Sequence, residues 1–239
     1  MKVQENPLEE LSQLTGGLAH EIRNPLSTLR VNLKLLAEDL RELDVENDTV
    51  RRSLLRIDAM HNEVRRLSNI LDDFVRFVAM HQLALATHDL NKVVAQLIEF
   101  FEPQAANAKV RIMTHFCSDP LKCRLDANLV KQAFLNLFLN AQQAMPNGGD
   151  LMVRTCRAGN QARADISDTG IGIDEANLGR IFDAYFSTKK GGVGLGLAMS
   201  RRIIREHAGD IRAESQPGKG SNFSITLPLY EPSSGEVRA

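Results

Sequence analysis

No apolar run in this 239-residue sequence approaches the roughly 18 residues needed to cross a bilayer. The longest, such as 133–139, are broken by asparagine within a few residues. A basic-then-apolar leader is also missing. Met1 is followed by acidic sequence with a leucine period, which predicts no signal peptide. Cysteine is scarce: Cys117, Cys123 and Cys156 are odd in number and lack CxxC spacing. That pattern argues against a secreted disulfide scaffold and for reduced thiols in a cytoplasmic protein. Charge of one sign is lacking as well. Lysine and arginine total 29 against 30 for aspartate and glutamate, a formal net charge of −1. A nucleic-acid-binding chain normally carries a strongly basic field, so no nucleic-acid partner is expected. What remains is 43% apolar residues, enough for a core, in a length suiting one large domain or two modest ones.

Glycine and proline are nearly absent from the first 80 residues, where only Gly16, Gly17 and Pro25 follow Pro7. In their place Leu11, Leu14, Leu18, Ile22, Leu26, Leu29, Leu33, Leu36, Leu40 and Leu43 recur at three- and four-residue steps. A second ladder runs from Val50 through Leu54, Ile57, Met60 or His61, Val64, Leu67, Leu71 and Phe74 to Val78. Both are apolar seams at coiled-coil spacing, separated by the polar stretch 44–49, in which Asn47 or Asp48 can cap the second helix. Two such helices predict an antiparallel hairpin. A single hairpin buries only part of its seam, so pairing into a four-helix bundle, and hence a homodimer, is expected.

Beyond residue 85 the texture changes, and fourteen of the 16 glycines lie past residue 147. Strand patterns at 83–87, 110–116, 122–125, 151–156, 162–167, 210–214 and 222–228 alternate with helical ones at 90–106, 127–145 and 195–206. The expected fold is therefore α+β in two domains. A helical hairpin spans 1–82, an α/β sandwich spans 83–231, and 232–239 form a tail.

His20 lies two residues past Leu18, about 200° around the helix, so it points away from the leucine seam. Asn24 follows at i+4 on the same face, and Glu21 is adjacent. Pro25 has no amide hydrogen and its ring meets the Glu21 carbonyl, which bends the helix beside the histidine. A lone histidine there is ordinarily just solvated. A zinc-protease motif is excluded because Asn24 stands where a second histidine belongs. A neutral imidazole with a carboxylate next to it, on an exposed helix face, is however a competent nucleophile toward phosphorus, the carboxylate holding one tautomer.

The second domain lacks GxxxxGK[ST], and neither Gly192–Gly196 nor Gly170–Gly172 completes GxGxxG, which argues against a Walker loop and a dinucleotide site. Three separate glycine elements stand instead: Asp168-Thr-Gly170-Ile-Gly172 after a strand, Gly192-Val-Gly194-Leu-Gly196-Leu197 opening a helix, and Gly218-Lys-Gly220-Ser221 before the last strand. The middle one aims backbone amides and a helix start at an anion. Asp168 suits an exocyclic amine of a base. Asn136 and Asn140, at i,i+4 on the helix 127–145, are either plain helix surface or oxygen ligands for Mg²⁺, with Gln143 one turn further. Lys189 and Lys190, in a glycine-ended loop, can bring positive charge to a terminal phosphate as part of a lid.

Read together, these stretches resemble a family. His20-Glu-Ile-Arg-Asn-Pro-Leu is similar to the H box of two-component sensor histidine kinases. Asn136-Leu-Phe-Leu-Asn140 resembles their N box, Asp168–Gly172 their G1 box, Ile181–Lys189 their F box and Gly192–Leu197 their G2 box. All stand in order from about residue 8 to 230. The wording at 140–146 and 186–189 resembles the nitrogen-regulation subgroup.

The resemblance implies a HisKA-type dimerisation and phosphotransfer hairpin followed by a Bergerat-fold (GHKL) ATPase domain. ATP with Mg²⁺ would be held by Asn136, Asn140, Gln143, Asp168, Gly170, Gly172, Lys189, Gly192, Gly194, Gly196 and Leu197, with Asn140 on the metal. His20 would take the γ-phosphoryl group, with Glu21 as base or orienter, and pass it to an aspartate of a response regulator. Asn24 resembles the residue that positions water to dephosphorylate the regulator. Gln143 departs from the basic residue of many relatives. With catalytic machinery covering nearly every residue, a sensor is expected to be a separate partner or a segment outside this stretch. A dimeric adaptor that binds ATP without phosphotransfer, or a protein that is chiefly a regulator phosphatase, are the competing readings.

Overall fold

The computed structural model describes residues 7–42, 48–78, 83–189 and 194–230, and over 7–21 only the helical backbone. The chain divides into two compact units, one that holds the first two helices together with Lys189 and one that contains every described strand.

In the first unit α1 (Pro7–Glu42) and α2 (Asp48–Val78) pack as an antiparallel pair, with Arg23 near the middle of α1 donating to Asp72 near the end of α2 at 2.6 Å. Leu26 and Ala37 of α1 and Ile57 and Val64 of α2 are buried between them. The predicted seam does not close. Ile22, Leu29 and Leu36, spaced seven residues apart along α1, are 39%, 51% and 47% exposed, and Leu67 of α2 is 44% exposed. Pro25 lies inside α1, where it denies the Glu21 carbonyl a helical partner. The expected turn residues 44–47, Leu43 and the tail 232–239 lie outside the described residues.

The second unit is a two-layer sandwich. Its five-stranded sheet runs β2 (Val110–His115), β4 (Gly149–Ala158), β5 (Gln161–Asp168), β7 (Gly220–Pro228), β6 (Asp210–Gln216). β2 and β4 pair in parallel and the other neighbours are antiparallel. Three helices, α3 (Leu90–Asn107), α4 (Ala127–Ala144) and α6 (Gly196–Glu206), carry the apolar faces that cover it. Phe101 of α3 and Phe138 of α4 meet at 5.5 Å between ring centroids, and Phe134 and Leu137 beside them are fully buried. Burying one large side chain of this kind contributes about 1.5–3 kcal/mol, so this helix–helix seam anchors the unit. The opposite face of the sheet is hydrophilic, as one-sided antiparallel sheets are. There Arg163 pairs with Asp165 at 2.8 Å and Ser224 donates to Asp165 at 2.6 Å.

Two differences from the sequence reading concern the edge of this unit. The strand expected at 83–87 is β1 (Ala86–Asp89), which pairs antiparallel with β3 (Lys122–Leu125) as a separate two-stranded sheet. The shift follows from Asp89. Its carboxylate accepts from the Asn91 and Leu121 amides, so the strand runs up to this polar residue before α3 begins. A one-turn helix, α5 (Glu175–Leu178), was not anticipated.

Candidate nucleotide site

Helix α4 organises the site, and its start is firmly fixed. Asp126 is the N-cap, its carboxylate accepting from Asn128 at 3.0 Å, Leu129 at 3.2 Å and, on the other oxygen, Ala84 at 3.2 Å. Burial acts to raise the Asp126 pKa, but these amides outweigh it and hold the carboxyl below its ordinary value. His207, buried at the end of α6, accepts the Asp126 amide on Nε2 at 2.9 Å while its Nδ1 stands 2.7 Å from the Ile203 carbonyl. Nδ1 therefore carries the proton, and the neutral ring ties α6 to the root of α4.

Two and a half turns along α4, Asn136 faces α6. Its Nδ2 donates to the Gly196 carbonyl at 3.1 Å and to the Ser200 hydroxyl at 3.4 Å. Asn140 follows half-buried, and Gln143 is exposed. At the other end of α4 the Ala144 carbonyl accepts the Ile171 amide at 3.0 Å. Asn136 and Ala144 stand about 12 Å apart along the helix. One helix thus touches both the start of α6 and the loop after β5.

That loop is shaped by exclusion. Asp168, 6% exposed at the end of β5, accepts the Gly170 amide on Oδ1 at 2.8 Å. A Cβ on Gly170 would fall 2.6 Å from the Ala144 carbonyl oxygen and 2.7 Å from Asp168 Oδ1. Gly172 has φ +72, and a Cβ there would strike the Gln216 carbonyl. Thr169 fastens the loop from below, accepting the Asp150 amide at 3.0 Å and reaching Met145 Sδ at 3.7 Å.

The segment before α6 is bound into the same unit by two rings. Arg180 Cζ lies 4.5 Å from the Phe186 ring centroid, and Arg201 Cζ of α6 lies 5.4 Å from that of Phe182. Tyr185, at φ +65, donates its amide to the Gly194 carbonyl at 3.1 Å. Gly194 has φ +74, and a Cβ on it would sit 2.5 Å from the Phe186 carbonyl oxygen. Lys189 is exposed beyond this closure, and Leu197 is half-exposed in the first turn of α6. Lys190 and Gly192 lie outside the described residues.

Sequence-predicted residues are thus gathered in two places. Asn136 meets Gly196, Asp168 meets Gly170, and Asn140 lies on α4 between them. His20, Glu21 and Asn24 belong to α1 in the other unit, where the side chains of His20 and Glu21 lie outside what is described and Asn24 is exposed. Sequence reasoning missed Ser200 and the Asp126–His207 pair, and gave Thr169 no role of its own within the Asp168–Gly172 element. The available signal was that Ser200 and His207 are polar positions on the apolar stripe Met199, Ile203, Ile204 of α6.

The donor set fits a nucleotide with Mg²⁺. Among the described residues, Asn136 Oδ1 accepts no hydrogen bond while its Nδ2 makes two, leaving an amide oxygen held in one orientation. Also among the described residues, no group of three or more His, Cys, Asp and Glu is placed to hold a metal. Few protein oxygens plus phosphates and waters is the coordination Mg²⁺ prefers. No described helix is long and apolar enough to cross a membrane.

Residues 125–231 match the family of histidine kinase-, DNA gyrase B- and HSP90-like ATPases, and residues 10–83 match the His Kinase A (phospho-acceptor) domain. The chain is 35% identical over 226 residues to the sensor histidine kinase ZraS of Klebsiella oxytoca, covering 93% of this chain and 47% of ZraS. It spans from 29% to 49% of the length of the curated relatives it matches. Among solved structures, full-length ShkA in complex with AMPPNP aligns with a TM-score of 0.70 at 23% identity, covering 93% of this chain and 47% of that one. Histidine kinase ThkA in complex with response regulator TrrA aligns at 0.66 and 20% identity, covering 94% and 64%. At these identities the structural likeness concerns the fold: a helical segment followed by a GHKL-type catalytic domain.

Proposed function

We propose that this chain, which matches a phospho-acceptor domain over residues 10–83 and a histidine kinase-like ATPase over 125–231, is a two-component histidine kinase that transfers the γ-phosphoryl group of ATP to its own His20 and from there to an aspartate of a response regulator. The observation that most supports this is the placement of α4, which touches the Asp168–Gly172 loop at one end and the start of α6 at Asn136. Base and phosphates of one nucleotide fit along that helix. Asp168 accepts the adenine amine, Asn136 and Asn140 offer amide oxygens toward Mg²⁺ and the phosphates, and Lys189 adds positive charge from the loop. Gly170, Gly172, Gly194, Gly196 and Leu197 line the approach, with Gly192 and Gln143 completing it. When bound, Mg²⁺ neutralises charge on the phosphate oxygens.

The chain's own contribution is positioning and charge stabilisation. His20 presents the lone pair of one ring nitrogen to the γ-phosphorus. The N–P bond forms as the bond to the β–γ bridging oxygen breaks, and ADP leaves with that electron pair. Glu21 takes or shares the proton on the other ring nitrogen. An aspartate carboxylate of the regulator then attacks the same phosphorus, and the N–P bond breaks with its electron pair left on the ring, which takes its proton back from Glu21 to give neutral histidine. Asn24, one turn from His20 and exposed, holds the water that later cleaves the aspartyl phosphate.

Two surfaces of the helical unit support the partners. The exposed stripe Ile22, Leu29, Leu36 fits a second copy of the chain, which completes a four-helix bundle. Val31 and Leu35, 53% and 51% exposed, fall on the helical stripe that includes His20 and Asn24, and fit the receiver domain of the regulator. The nitrogen-regulation subgroup is the nearest wording of the boxes, and a cytoplasmic location suits the unpaired thiols. The test is a two-stage incubation with γ-labelled ATP and Mg²⁺ followed by a receiver domain. Label should enter this chain first and then leave it for the receiver. ATP binding with no label on either partner would favour the adaptor reading.

A further inference from the structure

Ser200 belongs to none of the sequence motifs, yet it is fully buried at the crossing of α6 and α4. Its hydroxyl stands 3.1 Å from the Ala133 carbonyl of α4 and 3.0 Å from the Gly196 carbonyl of its own helix, and it accepts from Asn136 Nδ2 at 3.4 Å. A hydroxyl has one proton and two lone pairs. With its proton given to a carbonyl, Ser200 can meet the Asn136 side chain only as an acceptor. The Gly196 carbonyl, 3.1 Å from the same Nδ2, is an acceptor too. Both neighbours on α6 therefore demand the nitrogen of the Asn136 amide, and neither can bind its oxygen. A flipped amide would set Oδ1 against two acceptors.

We propose that Ser200 is a positioning residue that, with the Gly196 carbonyl, locks the Asn136 amide with its oxygen turned to the Mg²⁺–phosphate side. The inference rests on the nucleotide reading of Asn136 and adds how its orientation is set before any ligand arrives. Gly196 supports it from another direction. A Cβ there would meet Asn136 Cγ at only 3.9 Å, and its φ is not in the left-handed region, so the position contributes a carbonyl rather than a steric gap.

The full chain allows a test with and without ligand. In the nucleotide-free protein, the two Asn136 side-chain amide protons, assigned by their loss in Asn136→Ala, should exchange with water well over tenfold more slowly than those of the exposed Asn24. In Ser200→Ala, MgATP affinity should fall about tenfold, the scale of one buried hydrogen bond. ATP affinity in EDTA should change less than twofold, and Ser200→Thr should restore most of the Mg²⁺-dependent part. Equal losses with and without Mg²⁺, or no loss, would overturn the assignment. So would Asn136 amide protons that exchange like exposed ones, a readout needing no Ser200 variant and holding if Ser200→Ala fails to fold. A wild-type chain that binds no MgATP would instead sink the nucleotide reading, while the amide exchange would still decide the role of Ser200.

Discussion

The Gly194 carbonyl accepts the Tyr185 amide at 3.1 Å, and this pair closes the base of the segment that carries Lys189. Tyr185 holds φ +65 and Gly194 φ +74, so both sides of the closure use the left-handed region, which costs a non-glycine residue about 1–2 kcal/mol. The two glycines that flank Leu195 are consequently unequal.

Gly194→Ala should weaken ATP binding by tenfold or more, because its Cβ would press on the Phe186 backbone. Gly196→Ala should change affinity less than about threefold, since it keeps the carbonyl that Asn136 needs. Titrating both variants with a fluorescent ATP analogue checks the order. Equal effects would contradict it.

The open leucine stripe gives a second prediction. Glutamate at both Leu29 and Leu36 places two charges where a partner helix should lie, at several kcal/mol together. Sedimentation should show the wild type as a dimer and Leu29→Glu/Leu36→Glu as a monomer at micromolar concentration, with ATP binding retained. A double variant that remains dimeric would place the interface elsewhere.

At the root of α4 the expected effects are on stability. Asp126→Ala removes an N-cap and should destabilise the ATPase unit by about 1 kcal/mol at neutral pH, and His207→Ala, which orphans the Asp126 amide, by about 1–3 kcal/mol. The Asp126 carboxyl titrates lower folded than unfolded, so its contribution is complete above the unfolded value and disappears as pH falls through the folded one. Urea melts should therefore separate wild type and Asp126→Asn at pH 7 and bring them together well below pH 4. A gap that widens in acid would refute the sign.

Asn24→Ala should leave phosphorylation of the chain within about threefold of wild type and slow dephosphorylation of the regulator by tenfold or more. Equal loss of both would remove Asn24 from the water-positioning role.

Much of this was legible in the sequence because periodicity survives folding. The ladder 11–43 became α1 through Glu42, and Val130, Ala133, Phe134, Leu137, Phe138 and Ala141 are the buried face of α4. Glycine was legible where geometry forces it, as at Gly170, Gly172 and Gly194. Gly196 looked the same in sequence, yet its job lies in its carbonyl. Links between distant residues left no local trace: Arg23 with Asp72, Asp126 with His207 and Asn136 with Ser200 are 49, 81 and 64 residues apart. A short strand such as β1 was misplaced because its second half, His88 and Asp89, is polar and owes its pairing to β3 rather than to propensity.

The central claim is that His20 carries the phosphoryl group. Incubating the chain with γ-labelled ATP and Mg²⁺ should yield an acid-labile, base-stable label that His20→Gln abolishes while ATP binding stays within about twofold. Label that persists in His20→Gln, or a wild type that binds ATP tightly and takes no label, would contradict it.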